Sequence, residues 1–188
     1  MANRTFAAMS PPIMVVRAPH DAVLHHIAPL GAAAALGTAL VVDLDDEPTT
    51  YGAETLAVLA ADGVRRRHLE PERPGVAVLG RGPIERAEGL EMIGRLAQRW
   101  PGVVVRCGTD LALPGSRTVT VRTPLPGSHA GGGGGLVVWQ RVSHSQRTPQ
   151  PSLPPPGRRR ATDMLAGRID PRWRWVRAWR PIWGMAWA

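Results

Sequence analysis

"TALVVDLDDEP", residues 38–48, decides the fold. Ala39, Leu40, Val41 and Val42 run without a polar break, as a strand buried on both faces requires. A strand with one face in water would alternate apolar and polar residues, and this one does not. The run ends at once in Asp43, Asp45, Asp46 and Glu47, groups that need water or a cation. The strand therefore stops there, with its polar chemistry at its carboxyl end.

Working outward, Ile13–Val16, Val76–Leu79, Val103–Val105, Thr118–Val121 and Leu136–Trp139 have the same character: short, rich in β-branched residues, and bounded by Gly, Pro or charge. Between the first strand and Ala39–Val42 lies His20–Leu36, Ala/Leu-rich and helical in period despite Pro29. Ala53–Ala61 is a shorter helical stretch that ends at Asp62-Gly63. Pro83–Arg99 carries Glu85, Glu88 and Glu91 early and Arg95 and Arg99 late, which suits a helix dipole. Ile84, Leu90, Ile93 and Leu96 supply its apolar side. This alternation predicts an α/β fold, a mostly parallel sheet with flanking helices on both faces. The order weakens after Cys107. No helix precedes Thr118–Val121, and the glycine run 131–135 stands where another crossover helix is expected. The expected organisation is a loose leader over 1–12, an α/β domain over 13–142, a Pro/Ser/Arg-rich linker over 143–161 and a basic, Trp-rich segment over 162–188.

A chain of 188 residues that is 44% hydrophobic can bury one domain's core. Its net charge of +8 is unevenly placed. Lysine is absent. Residues 1–135 hold 13 Arg against 13 acids, whereas residues 136–188 hold 10 Arg against 2 acids, so the excess belongs to the last 53 residues. The single cysteine, Cys107, excludes a disulfide framework and any all-cysteine metal site, and it points to a reducing compartment. Ile27–Val42, the longest apolar-rich stretch, is too short to span a bilayer and is broken by Pro29, Gly31 and Gly37.

Asp43-Leu44-Asp45 at the end of a buried strand resembles the second strand of the ParA/MinD group of P-loop ATPases, which runs into an Asp-x-Asp. "RPGVAVLGRGP" (73–83) is similar to the following strand and turn, and "LAQRWPGVVVRC" (96–107) to the helix and strand after that. The likeness covers roughly residues 13–110 and implies a P-loop-NTPase-like, three-layer domain, here incomplete, with a C-terminal extension. The departures carry the functional expectation. Where that group has a Gly-rich loop whose amides cradle phosphate, with a lysine and a hydroxyl for magnesium, this chain reads "VVRAPHDAVLHH" (15–26). It offers no glycine and no lysine, and it places Asp21 where an anion would sit. Arg17 brings charge without the nest of amides. The group's next acidic position is filled by Arg106 and Cys107, with Asp110 three residues late. The resemblance thus implies a pseudo-ATPase: no nucleotide cofactor, and no catalysis.

Other chemistries are weaker. The simplest reading of Asp43–Glu47 is a solvated lip; the alternative is a Mg²⁺ or Ca²⁺ site from Asp43, Asp45 and Asp46, serving a cation-dependent or nucleotide-binding enzyme. His20, His25 and His26 read as polar residues on a helix surface, too few for zinc without further ligands. Cys107 reads as a small hydrophobe. The tail "PRWRWVRAWRPIWGMAWA" (171–188) is different. It interleaves Arg172, Arg174, Arg177 and Arg180 with Trp173, Trp175, Trp179, Trp183 and Trp187. From Trp175 the spacing of four stacks one indole per helical turn, although Pro181 and Gly184 interrupt a single helix. Such a segment either docks its indoles on the body or attaches the chain to an anionic membrane surface or a protein partner, with nucleic acid as a further possibility. The expected function is a non-catalytic, ParA/MinD-like adaptor or regulatory interaction protein of a bacterial cytoplasm. It would be peripheral at the inner face of the membrane if the tail meets lipid.

Overall fold

The computed structural model describes residues 12–45, 54–63, 75–111, 113–124 and 135–186. Seven strands, β1 (Ile13–Arg17), β2 (Thr38–Asp43), β3 (Gly75–Leu79), β4 (Val103–Arg106), β5 (Ser116–Arg122), β6 (Leu136–Gln140) and β7 (Ser152–Leu153), form one sheet in the order β3-β2-β4-β1-β5-β6-β7. Every pairing in it is parallel. The helices are α1 (Ala22–Leu36), α2 (Leu56–Asp62), α3 (Arg86–Ala97), α4 (Arg158–Leu165), α5 (Arg174–Arg177) and α6 (Trp179–Ala186). The expected α/β class, with a parallel sheet and flanking helices, is what the chain adopts.

Strand alternation sorts the core into two layers. Met14, Val16, Ala39, Val41, Val104, Val119 and Val121 face α1 and the C-terminal helices. Ile13, Val15, Leu40, Val42, Val103 and Val105 face α2 and α3. Each strand in the middle of the sheet is thus wet on neither face, which is why its sequence does not alternate.

Helix α1 begins at Asp21, whose carboxylate accepts the Leu24 amide at 2.9 Å, and ends at Gly37 with φ 84°. Residues 27–34 of α1 are all buried, on every side of the helix. A helix lying between a sheet on one side and other helices on the other has no face left for water. That accounts for the small residues of "GAAAAL" (31–36), where bulk would hold the layers apart.

The C-terminal third departs from the expected organisation. Residues 143–161, expected as a linker, contribute β7 and the first turn of α4. Strand β7 pairs with the end of β6, and Gln140 Nε2 donates to Pro154 O at 2.9 Å. Residues beyond 162 do not stand apart from the 13–142 body: Met164, Trp175, Val176, Trp179, Ile182 and Trp183 belong to the same core layer as α1. The helical tail breaks between α5 and α6. Pro181 sits third in α6, in the first turn, where its missing N–H has no helical acceptor to lose.

Two hydrogen bonds seat the tail on the body: Trp175 Nε1 donates to Gln140 Oε1 at 2.8 Å and Trp183 Nε1 donates to Ala32 O at 2.8 Å. Within the tail, Trp175 meets Trp179 edge to face with centroids 6.0 Å apart. The Trp175 ring lies against Gly31 of α1. A Cβ built on Gly31 would fall within the ring's van der Waals envelope, with Cη2 at 2.9 Å. Glycine there is a close-approach residue: only a missing side chain lets the indole reach the helix backbone.

Candidate functional site

The carboxyl edge of a parallel sheet is where a ligand crevice is expected, and several polar groups converge there. Parallel pairing of β2 with β4 sets Asp43 beside Arg106 in register. Both continue the alternation of Val41 and Val104, so both point to the α1 side. Arg106 Nη1 donates to Asp43 Oδ2 at 2.7 Å, and both side chains are essentially without solvent access. Arg106 Nε lies 3.3 Å from Asp45 Oδ2, within ion-pair range but off the line of a hydrogen bond. Arg106 Nη2 has no acceptor among the described residues.

Asp45 closes the network. Its Oδ1 accepts the Gly108 amide at 2.6 Å, its Oδ2 pairs with His25 Nε2, and its own amide donates to Asp43 Oδ1 at 3.0 Å. Burial alone would raise the Asp45 carboxyl. The hydrogen bonds from His25 and Gly108, with the charges of His25 and Arg106, outweigh it and hold Asp45 below the usual carboxylate range. Asp43 goes the other way. Burial pushes its carboxyl up, against the Arg106 charge and the Asp45 amide, and the neighbouring Asp45 charge adds to the rise.

This overturns the solvated-lip expectation for Asp43 and Asp45: the first is buried, and the second keeps 15% of its side-chain exposure. Both carboxylates already face cations and amides of the chain itself, so neither is left to ligate a cation in this arrangement. Among the described residues no group of three or more His, Cys, Asp or Glu side chains could hold a metal ion. Asp46, the third candidate ligand, and Glu47 lie outside the described residues. His25 also departs from expectation, since it is a half-hidden partner of Asp45 rather than a surface group. His20 is exposed.

Residues 18–21 connect β1 to α1, and the Asp21 carboxylate caps the helix by accepting the Leu24 amide of its first turn. Arg17 pairs with Asp110. Cys107 is buried on the α2–α3 side of the sheet, where its Sγ accepts from Arg86 Nη2 at 2.6 Å. The sheet separates it from the His25–Asp45 pair on the α1 side, so the three do not form a nucleophilic triad.

The tail residues divide by exposure. Trp175, Trp179 and Trp183 are in the core, so as folded they present no indole to an outside partner. Trp173 is half-buried, with the Arg160 guanidinium 5.9 Å above its ring. Arg172, Arg174, Arg177 and Arg180 are exposed, and Trp187 lies outside the described residues. Of the two roles open to the segment, the indoles dock and the guanidiniums face outward. Arg106, His25 and Gln140 are the residues that sequence reasoning missed as partners. The signal for the first was a cation at the very end of a buried strand, an expensive place for a charge without a partner. No described helix is long and apolar enough to cross a membrane. No protein-family profile matches the chain, and no curated protein matches it.

Proposed function

We propose that this chain is a non-hydrolysing relative of the ParA/MinD group that works as an adaptor in a bacterial cytoplasm, making its contact through the arginine face of its C-terminal helices. The observation that carries the reading is the Asp43–Arg106–Asp45–His25 network. At the sheet edge where a nucleotide and its magnesium would need free carboxylates, Asp43 and Asp45 are engaged by the chain's own cations and amides. Asp21 is likewise engaged, by the Leu24 amide at the start of α1. With those carboxylates engaged internally, the basic C-terminal face carries a large unpaired charge among the described residues. Arg158, Arg159, Arg160, Arg172, Arg174, Arg177 and Arg180 are all exposed, and none has a carboxylate partner among the described residues. A surface of that kind meets anionic partners. It would hold the chain at the inner membrane face should the partner be lipid.

Two measurements test the two halves. Equilibrium dialysis with magnesium and ATP or GTP should show nothing tighter than about millimolar, equivalent to ~4 kcal/mol of binding. Micromolar binding that is lost in Arg17→Gln sinks the non-hydrolysing reading. Heparin, a generic polyanion, should retain the wild-type chain and release Arg174→Gln/Arg177→Gln/Arg180→Gln at much lower salt. Equal elution of the two proteins refutes contact through this face.

A further inference from the structure

Two open cavities lie side by side on the C-terminal face. One, of about 590 Å³, is lined by His144, the three arginines that open α4, Trp173 and Arg174. The other, of about 580 Å³, is lined by Arg141, Arg174, Arg177 and Arg180 together with Gln150, Ser152 and Pro154. Arg174 lines both, so the two adjoin there and make up a shallow basic trough. Among the described residues that line them, the only acid is Asp163, which pairs with Arg168 at 2.7 Å. The arginines of α5 and α6 recur every third residue, because Trp175, Val176 and Trp179 take the inward positions between them.

The chemistry of this trough selects among anions. A lipid surface is anchored by indoles at headgroup level, but the three indoles spaced for that task are in the core. Among described large aliphatic residues of the C-terminal third, only Val142 and Met185 are exposed. A trough of guanidiniums instead suits a flexible chain of phosphates, which arginine binds through paired donors. The half-buried Trp173 and the Arg160 guanidinium above it add planar surfaces at the trough's wall, on which an unpaired base stacks and a paired one does not. Resting on the reading of this face as the contact surface, we infer that the trough takes a single strand of nucleic acid, its phosphates on the arginines and a base at Trp173.

Fluorescence anisotropy on the full chain tests this, using labelled oligouridylate and oligothymidylate of about twelve nucleotides. Contact with roughly five phosphates gives a slope of log affinity against log salt of about −3 to −4. Arg174→Gln/Arg177→Gln/Arg180→Gln should lower that slope by about 2. Trp173→Ala should weaken binding about tenfold, the order of one lost stack, with the slope unchanged. All four positions lie on the surface or half-buried rim, and circular dichroism melts check that the variants stay folded. Duplex of the same sequence bound equally well or better overturns the inference. So does binding to phosphatidylglycerol vesicles without binding to the single strand, and so does a Trp173→Ala chain with unchanged affinity. If heparin binds and the single strand does not, the strand inference fails alone; if neither binds, the basic contact face fails with it.

Discussion

Replacing Gly31 by alanine should destabilise the protein, against the ordinary preference of helices. In a helix interior alanine is favoured over glycine by about 1 kcal/mol. Gly94 of α3 shows the ordinary case: a Cβ built there meets nothing within 4 Å, so Gly94→Ala should stabilise by roughly 0.5–1 kcal/mol. At Gly31 the added Cβ enters the Trp175 ring. That ring cannot swing away cheaply, because its Nε1 is held by Gln140 at 2.8 Å, its edge meets Trp179, and it is 1% exposed. Overpacking of a filled core costs about 1–3 kcal/mol, and an indole pinned on two sides belongs at the upper end of that range. Subtracting the helix gain leaves a net loss of about 1–2 kcal/mol, so the two glycine variants should shift in opposite directions and differ by about 1.5–3 kcal/mol. Urea unfolding followed by far-ultraviolet circular dichroism reads this as opposite shifts of midpoint at unchanged slope. A cycle with Trp175→Leu, which shortens the ring, should recover part of the Gly31→Ala loss and show a coupling above about 0.5 kcal/mol. If Gly31→Ala stabilises as Gly94→Ala does, the tail is not seated on α1, and the assignment of Trp175, Trp179 and Trp183 to the core is wrong.

Arg106→Met should cost about 3–5 kcal/mol in urea unfolding, because it leaves the buried Asp43 without its cation. Arg106→Met/Asp43→Leu should cost clearly less than the single change, and a double variant worse than the sum of its parts refutes the pairing. A solvated lip would make Asp45→Asn neutral, whereas the bonds from Gly108 and His25 make it cost on the order of 1.5–3 kcal/mol at neutral pH. The pH dependence of that loss follows from the depressed Asp45 carboxyl. Its stabilising contribution is complete above the ordinary value of 3.8 and is lost as pH falls through the lower folded-state value. The stability gap between wild type and Asp45→Asn should therefore close below about pH 3.8, and a gap that widens on acidification contradicts the network. Asp43, raised by burial, has the opposite sign. It favours the folded state below 3.8, and that contribution fades as pH rises through its folded-state value.

What the sequence determined by itself is what bonded neighbours decide. Short unbroken runs rich in β-branched residues and bounded by Gly, Pro or charge, such as Ala39–Val42 and Val103–Val105, read as strands covered on both faces, and that requirement implies the parallel sheet and its helices. The lack of glycine and lysine after β1, where the chain reads "RAPHD" (17–21), is equally local and legible without a structure. What only the tertiary structure decided is which distant groups meet. Asp43 and Arg106 are 63 positions apart, and β3 intervenes in sequence between the strands that carry them, so chain order hides that β2 and β4 are neighbours. Once they are, two charges that each look costly at a strand end satisfy one another, and the lip becomes an interior network. His25 shows the same limit, since helical periodicity alone does not say that its turn of α1 faces Asp45. The tail was undecided for a related reason. One indole per turn serves a membrane surface and a protein core equally well. The choice came from the receiving surface: the missing side chain at Gly31, the Gln140 acceptor and the Ala32 carbonyl. Those groups lie 35 to 151 positions from the tryptophans they hold, and a pattern within the tail carries no information about them.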